Sequence, residues 1–162
     1  MPIYQPDYPD QAGEVSDCGG EYSDAAFVSF SNVAAYIYTV PYGFHLGIVT
    51  GYGDPLINTQ VYISGIASGW TTGIVRYDGL DIYTFAHGWV YDQMAGTYLS
   101  STGDSGAPVL SWGREILPGL AFVKVYGIHA GHTYIDGQRY AVFSPQSGVY
   151  ADLNVLPLKI GG

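Results

Sequence analysis

Cysteine and positive charge are both scarce in this sequence. A single cysteine, Cys18, excludes an internal disulfide scaffold and a Cys-x-x-Cys metal site. Five lysines and arginines stand against fourteen acids, for a net charge of −9. That balance leaves no basic patch for nucleic acid and no attraction to an anionic membrane surface. No run of about 18 apolar residues occurs, so no membrane span is expected. The start, "MPIYQPDYPDQAGE", has neither the charged nor the apolar region of a signal peptide. An export signal would therefore lie upstream, and a secreted or extracellular location is the one favoured. No cofactor motif is present. His129 and His132 are three apart on an expected strand, where period-two alternation would put them on opposite faces, so no metal site is expected.

Present instead are 23 glycines, 16 tyrosines and a 48% apolar content in 162 residues, enough for one well-buried domain. Helical periodicity is weak. Short runs rich in Val, Ile, Tyr and Phe, such as "QVYISGI", "GIVRYD", "APVLSW", "AFVKVYGIHAG" and "RYAVFSP", alternate with Gly, Pro, Asn and Asp. About nine such strands predict an all-β barrel or sandwich. A short closing helix is expected in "SPQSGVYADLNVL", capped by Ser144 or Ser147, with Val149, Leu153 and Leu156 on one side.

"SSTGDSGAPVL", Ser100–Leu110, is the stretch that suggests chemistry. A serine hydroxyl attacks a carbonyl only with a base beside it, an acid to orient that base, and N–H donors for the oxyanion. Gly103 lets the chain turn an N–H inward before Ser105, and the apolar run that follows would anchor the turn. The same tetrapeptide, Gly-Asp-Ser-Gly, also suits an ordinary β-turn.

"TGDSGAPVL" resembles the nucleophile segment of chymotrypsin-like serine proteases. "VYISGIASGWTTGIV" is similar to the stretch that opens the second barrel in small microbial members of the streptogrisin and glutamyl-endopeptidase types. "VYGIHAGH" and "YAVFSPQSGVYADLNV" are similar to their cleft strand and closing helix. The resemblance implies an all-β, chymotrypsin-like antiparallel β-barrel: residues 1–40 a remnant of the first barrel with a polar arm, 41–58 a linker, 59–162 a complete second barrel. It implies peptide hydrolysis with Ser105 as nucleophile. The oxyanion hole would come from Gly103, Asp104 and Ser105. Asp24, in "YSDAAFVSF", would be the acid of the triad. Asp104 itself would be buried on a cation or on backbone donors. The partner implied is a peptide or protein substrate.

In that family the catalytic histidine precedes the aspartate. All four histidines here, His45, His87, His129 and His132, follow Asp24. The expected base would lie ahead of Met1, and a missing N-terminal segment is a second expected partner. By resemblance, His129 and Ser100 would face each other across the first specificity pocket, with Ala130 and Gly131 along its wall, and would favour Glu or Gln before the scissile bond. Ala130 stands where many members carry a serine that supports the aspartate. Three other readings remain open at this point: a non-catalytic relative of the proteases, a glycan- or protein-binding β-sandwich that uses its tyrosines and tryptophans, and a capsid-like module.

Overall fold

The computed structural model describes residues 2–4, 11–29, 33–39, 45–84 and 88–161. The described residues form twelve strands and one helix. β1 (Pro2–Tyr4), β2 (Gln11–Cys18) and β3 (Ala26–Ser29) make a small antiparallel sheet, so the polar first residues, expected as an arm, contribute two of its strands. β4 (Tyr36–Thr39) and β5 (His45–Tyr52) follow as an antiparallel pair. β5 lies within the stretch expected as a linker, and it pairs in parallel with the first half of β11 (Leu120–Ile135).

From Gln60 onward the chain closes on itself. β6 (Gln60–Gly65), β7 (Gly69–Thr84), β8 (Gly88–Gly96), β12 (Gln138–Pro145), β11 and β9 (Pro108–Leu110) pair in that order, each antiparallel to the next. β9 returns to β6 and completes a ring. β10 (Glu115–Leu117) forms a short hairpin with β11. A closed ring leaves no unpaired sheet edge.

Alternation along each strand fills the ring. β6 buries Val61 and Ile63 and leaves Tyr62 and Ser64 half-exposed. Val61 and Ile63 pack with Val75, Met94, Tyr98, Val109, Ala141 and Phe143 in the barrel interior. A second cluster, around Val49, Leu110 and Val123, seals the side where β5 joins. A third, around Ala95, Tyr140 and Val142, lies beneath the long β7–β8 hairpin.

β7 is longer than the runs "GIVRYD" and "DIYTFAHGWVYDQM" suggest. Asp78–Gly79 looks like a turn, yet the strand continues through it with register shifts against β8, and Gly79 (φ 67°) takes up the irregularity. α1 (Gln146–Leu153) differs from expectation at its start. Its N-cap is Pro145, without a side-chain cap, and the Asp54 carboxylate accepts the Ser147 N–H at 2.9 Å instead. Val149 and Leu153 are buried, while Leu156 lies beyond the helix and is exposed. Ser144 is drawn away from the helix by other partners, described below.

Candidate active site

The segment between β8 and β9 is fixed from its buried acid outward. Asp104 is 1% exposed, and its carboxylate accepts the N–H groups of Ala67 (2.8 Å), Ser68 (3.1 Å) and Ser101 (2.8 Å) together with the Ser68 hydroxyl. Burial pushes its pKa up, but these four donors outweigh burial and hold it at about 2. No cation is needed, because backbone donors and one hydroxyl supply the compensation.

With Asp104 pinned, Gly103 adopts φ 105°, a left-handed value that a side chain would strain. Ser105 then projects into solvent. Its neighbours are bound to β11: the Gly106 N–H donates to the His129 carbonyl (2.9 Å) and the His129 N–H to the Ala107 carbonyl (2.8 Å). The Ser105 hydroxyl donates to the Ala130 carbonyl at 3.2 Å. The Asp104 N–H is taken by the Ser101 carbonyl at 3.1 Å, so it is not available to a ligand. Among the described residues, the N–H groups of Gly103 and Ser105 donate to no protein acceptor.

Asp24 is half-buried and comes from the other end of the chain. It shares with Ser105 a cleft of about 410 Å³, lined also by Cys18, Gly106, Ile128 and His129. A neighbouring cleft of about 400 Å³ reaches from Asp24 past Ala130, Gly131 and His132 to Ile82 and Val142. Asp24 thus stands at the junction of the two.

Residues of the ring and of α1 hold the Asp24 segment. The Ser144 hydroxyl, fully buried, accepts the Asp24 N–H at 2.9 Å and donates to Gln93 Oε1 at 2.8 Å. Gln93 Nε2 donates to the Tyr22 carbonyl at 2.9 Å, and the Tyr91 N–H to the Glu21 carbonyl at 2.7 Å. Asp152 on α1 accepts the N–H groups of Gly20 (2.8 Å) and Tyr22 (3.0 Å) and the Ser23 hydroxyl (2.9 Å). Burial raises the Asp152 pKa, and these donors more than reverse it, leaving it below the usual carboxylate range. Gly148 permits the contact, since a Cβ there would collide with the Tyr22 carbonyl oxygen. Nothing local in the sequence marks Gln93, Ser144 and Asp152 for this task. Their signal is long-range, and only the folded chain brings them to Tyr22–Asp24.

The four histidines part company. His129 is 2% exposed, and its Nδ1 meets the Tyr98 hydroxyl at 3.0 Å. Burial lowers its pKa to about 4. His132 is exposed beside Tyr134. The expectation of opposite faces for these two fails, because a bulge between His129 and Gly131 adds a residue. His129 pairs with Phe143 and His132 with Ala141, two residues on one face of β12. His45 opens β5 next to Leu120, at the far end of β11 from the Gly127–Ile128 stretch that meets the serine segment. His87 lies outside the described residues. Ser100 is buried, and its carbonyl and hydroxyl oxygens face Arg139 Nη2 at 2.8 and 3.4 Å.

No protein-family model and no curated protein matches the sequence. Solved structures do match. A glutamic acid specific serine protease described as using a histidine triad in substrate binding aligns at TM-score 0.66 and 18% identity, over 88% of this chain and 71% of that one. Thermobifida fusca protease A aligns at 0.66 and 20%, over 86% and 70%. Cellulomonas bogoriensis chymotrypsin aligns at 0.68 and 20%, over 89% and 73%. The antiparallel ring, the joined smaller sheet and the closing helix are therefore those of the bacterial chymotrypsin-like serine proteases, and this chain has their fold.

Proposed function

We propose that this chain carries the nucleophile side of a serine endopeptidase site that cleaves peptides through an acyl-enzyme. The observation that carries the reading is the shared cleft: Ser105 projects into it from a turn with two uncommitted N–H groups, and Asp24 lines its other side. Ser105 attacks the carbonyl. The N–H groups of Gly103 and Ser105 receive the oxyanion. Asp104 acts as the anchor of the turn and not as a third donor, because its N–H is spent on Ser101. Asp24 orients the base and stabilises it once protonated.

The base this reading requires is an imidazole that the described residues do not bring to Ser105. His129 is buried with its Nδ1 on the Tyr98 hydroxyl, and His132 lines the neighbouring cleft and not the one that Ser105 lines. A general base must come within about 3 Å of the nucleophile or act through one water. The substrate residue before the scissile bond is Glu or Gln, a preference supported by the polar groups of Ser100 and His129 beside the serine segment. An extracellular location belongs to the same reading.

A fluorophosphonate probe tests the chemistry. It should leave Ser105 unlabelled in the chain as it stands. It should label Ser105, and not a Ser105→Ala variant, once a histidine-bearing segment is joined ahead of Met1. Rapid labelling of the chain as it stands would overturn the external base. Absence of labelling in both forms would overturn the peptidase reading.

A further inference from the structure

Charge is divided unevenly along the chain. Residues 1–75 carry seven acids and no lysine or arginine, and Arg76 is the first. Two of those acids, Glu14 and Asp17, stand on β2 of the small sheet. That sheet also has an open edge. Among the described residues β3 pairs with β2 alone. The Ala25 carbonyl accepts the Gly19 N–H at 2.6 Å and the Phe27 carbonyl accepts the Ser16 hydroxyl at 3.4 Å, so both face β2. Alternation then turns the N–H and C=O groups of Ala26 and Val28 to the outer side, where no described residue bonds them. The register sorts the side chains. Phe27 lies opposite Asp17 and Ser29 opposite Glu14, so an exposed aromatic ring shares one face with two exposed carboxylates. Ala26 lies opposite Cys18 and Val28 opposite Val15 on the other face, which carries no charge. Cys18 and Ala26 also line the serine cleft.

We infer that the free edge of β3 is a docking site for an extended segment of a partner protein in which lysine or arginine alternates with aliphatic residues. Such a segment adds to the sheet as a further strand, and its backbone bonds the outward groups of Ala26 and Val28. Period-two alternation puts its cations on the face of Phe27, Asp17 and Glu14, where they meet carboxylates and an aromatic ring. Its aliphatic residues fall on the face of Val28 and of Ala26, which lines the serine cleft. An acidic segment meets like charge on the first face. A second copy of this chain does too, because its own β2–β3 pair brings Glu14 and Asp17 with it and each copy carries −9. The acids thus guard the edge against self-pairing and leave it open to a basic strand. The inference concerns a surface beside the serine cleft and does not depend on the peptidase reading.

Three fluorescein-labelled peptides test this by anisotropy against the full chain at pH 7. The first alternates valine with lysine and arginine over seven residues. The second replaces every cation by glutamate. The third is the first with alternate amides N-methylated, so that charge and composition stay and one strand edge loses its donors. The first should bind, and more weakly as salt rises. The third should bind at least about ten-fold more weakly, for want of the ladder bonds, and the second not at all. Glu14→Gln with Asp17→Asn should weaken the first about five-fold, and Asn keeps the acceptor that the Cys18 N–H uses. On binding, hydrogen exchange should slow at the Ala26 and Val28 amides and stay unchanged at Val61 and Val75. Equal binding of the first and third peptides, no effect of the paired substitution, or protection gained elsewhere overturns the inference. So does failure of the first peptide to bind. Sedimentation showing self-association in place of peptide binding gives the edge to a second copy and overturns it as well.

Discussion

The two ends of this molecule are built on different terms. From Gln60 onward, strands close into a ring whose interior residues, Val61, Ile63, Val75 and Phe143, are wholly buried. Before it, β3 shows a mostly exposed pattern, with Phe27 40% exposed. The acid of the proposed site nonetheless belongs to the amino-terminal part. Ser144, Gln93 and Asp152 of the carboxy-terminal part hold the segment that carries it. A residue's place in the chain and the body that positions it can differ. The ring supplies the serine and the grip on its partner.

The comparison breaks first where the ring is hollowed. Phe143→Ala removes a fully buried aromatic from the interior and should cost about 4 kcal/mol, read as a shift in urea midpoint. Acid should act next, and on the same region. Burial holds His129 at about 4 in the folded chain against 6.5 when free. The unfolded chain therefore takes up the proton first as pH falls from 6.5 to 4, and stability declines across that window. The loss is on the order of 2–3 kcal/mol. A stability–pH profile of His129→Gln should be flatter there. Asp104, depressed to about 2 from 3.8, adds a second decline below about pH 4, because its contribution is present above that pH and vanishes as the folded carboxylate protonates.

The grip between the regions is the next thing to test. Asp152→Ala removes three acceptor contacts to Gly20–Ser23 and should cost about 2 kcal/mol. Hydrogen exchange should show where. The Tyr22 and Asp24 amides should lose protection while Val61 and Val75 in the ring keep theirs. Uniform loss of protection would mean that the segment and the ring open together.

The sequence makes the ring legible because its signals are local. Alternation in "QVYISG" and "RYAVFSP" and the glycine-framed Ser105 turn each lie within a few residues, and pairing turns them into a barrel. What escapes it is long-range or geometrical. Ser144 looks like a helix cap, yet its hydroxyl serves Asp24 and Gln93. Asp104 looks like one more oxyanion donor until the Ser101 carbonyl takes its N–H. A one-residue bulge reverses the faces inferred for His129 and His132. Arg139 sits in "DGQRY", and its bond to the Ser100 carbonyl, 39 residues away, appears only in the fold.

The smallest effect is expected where the comparison predicts indifference. Phe27→Ala changes the same residue type as Phe143→Ala, but in a strand whose neighbours Ala26 and Ser29 are exposed. Much of the Phe27 ring already meets water, so its removal forfeits little transfer energy and leaves no cavity to collapse. The cost should stay below about 1 kcal/mol by urea titration. The ratio of the two phenylalanine effects measures how unequally the regions share the stability. If Phe27→Ala instead costs as much as Phe143→Ala, the amino-terminal sheet is covered in solution by something that buries it, and the two regions share the stability evenly.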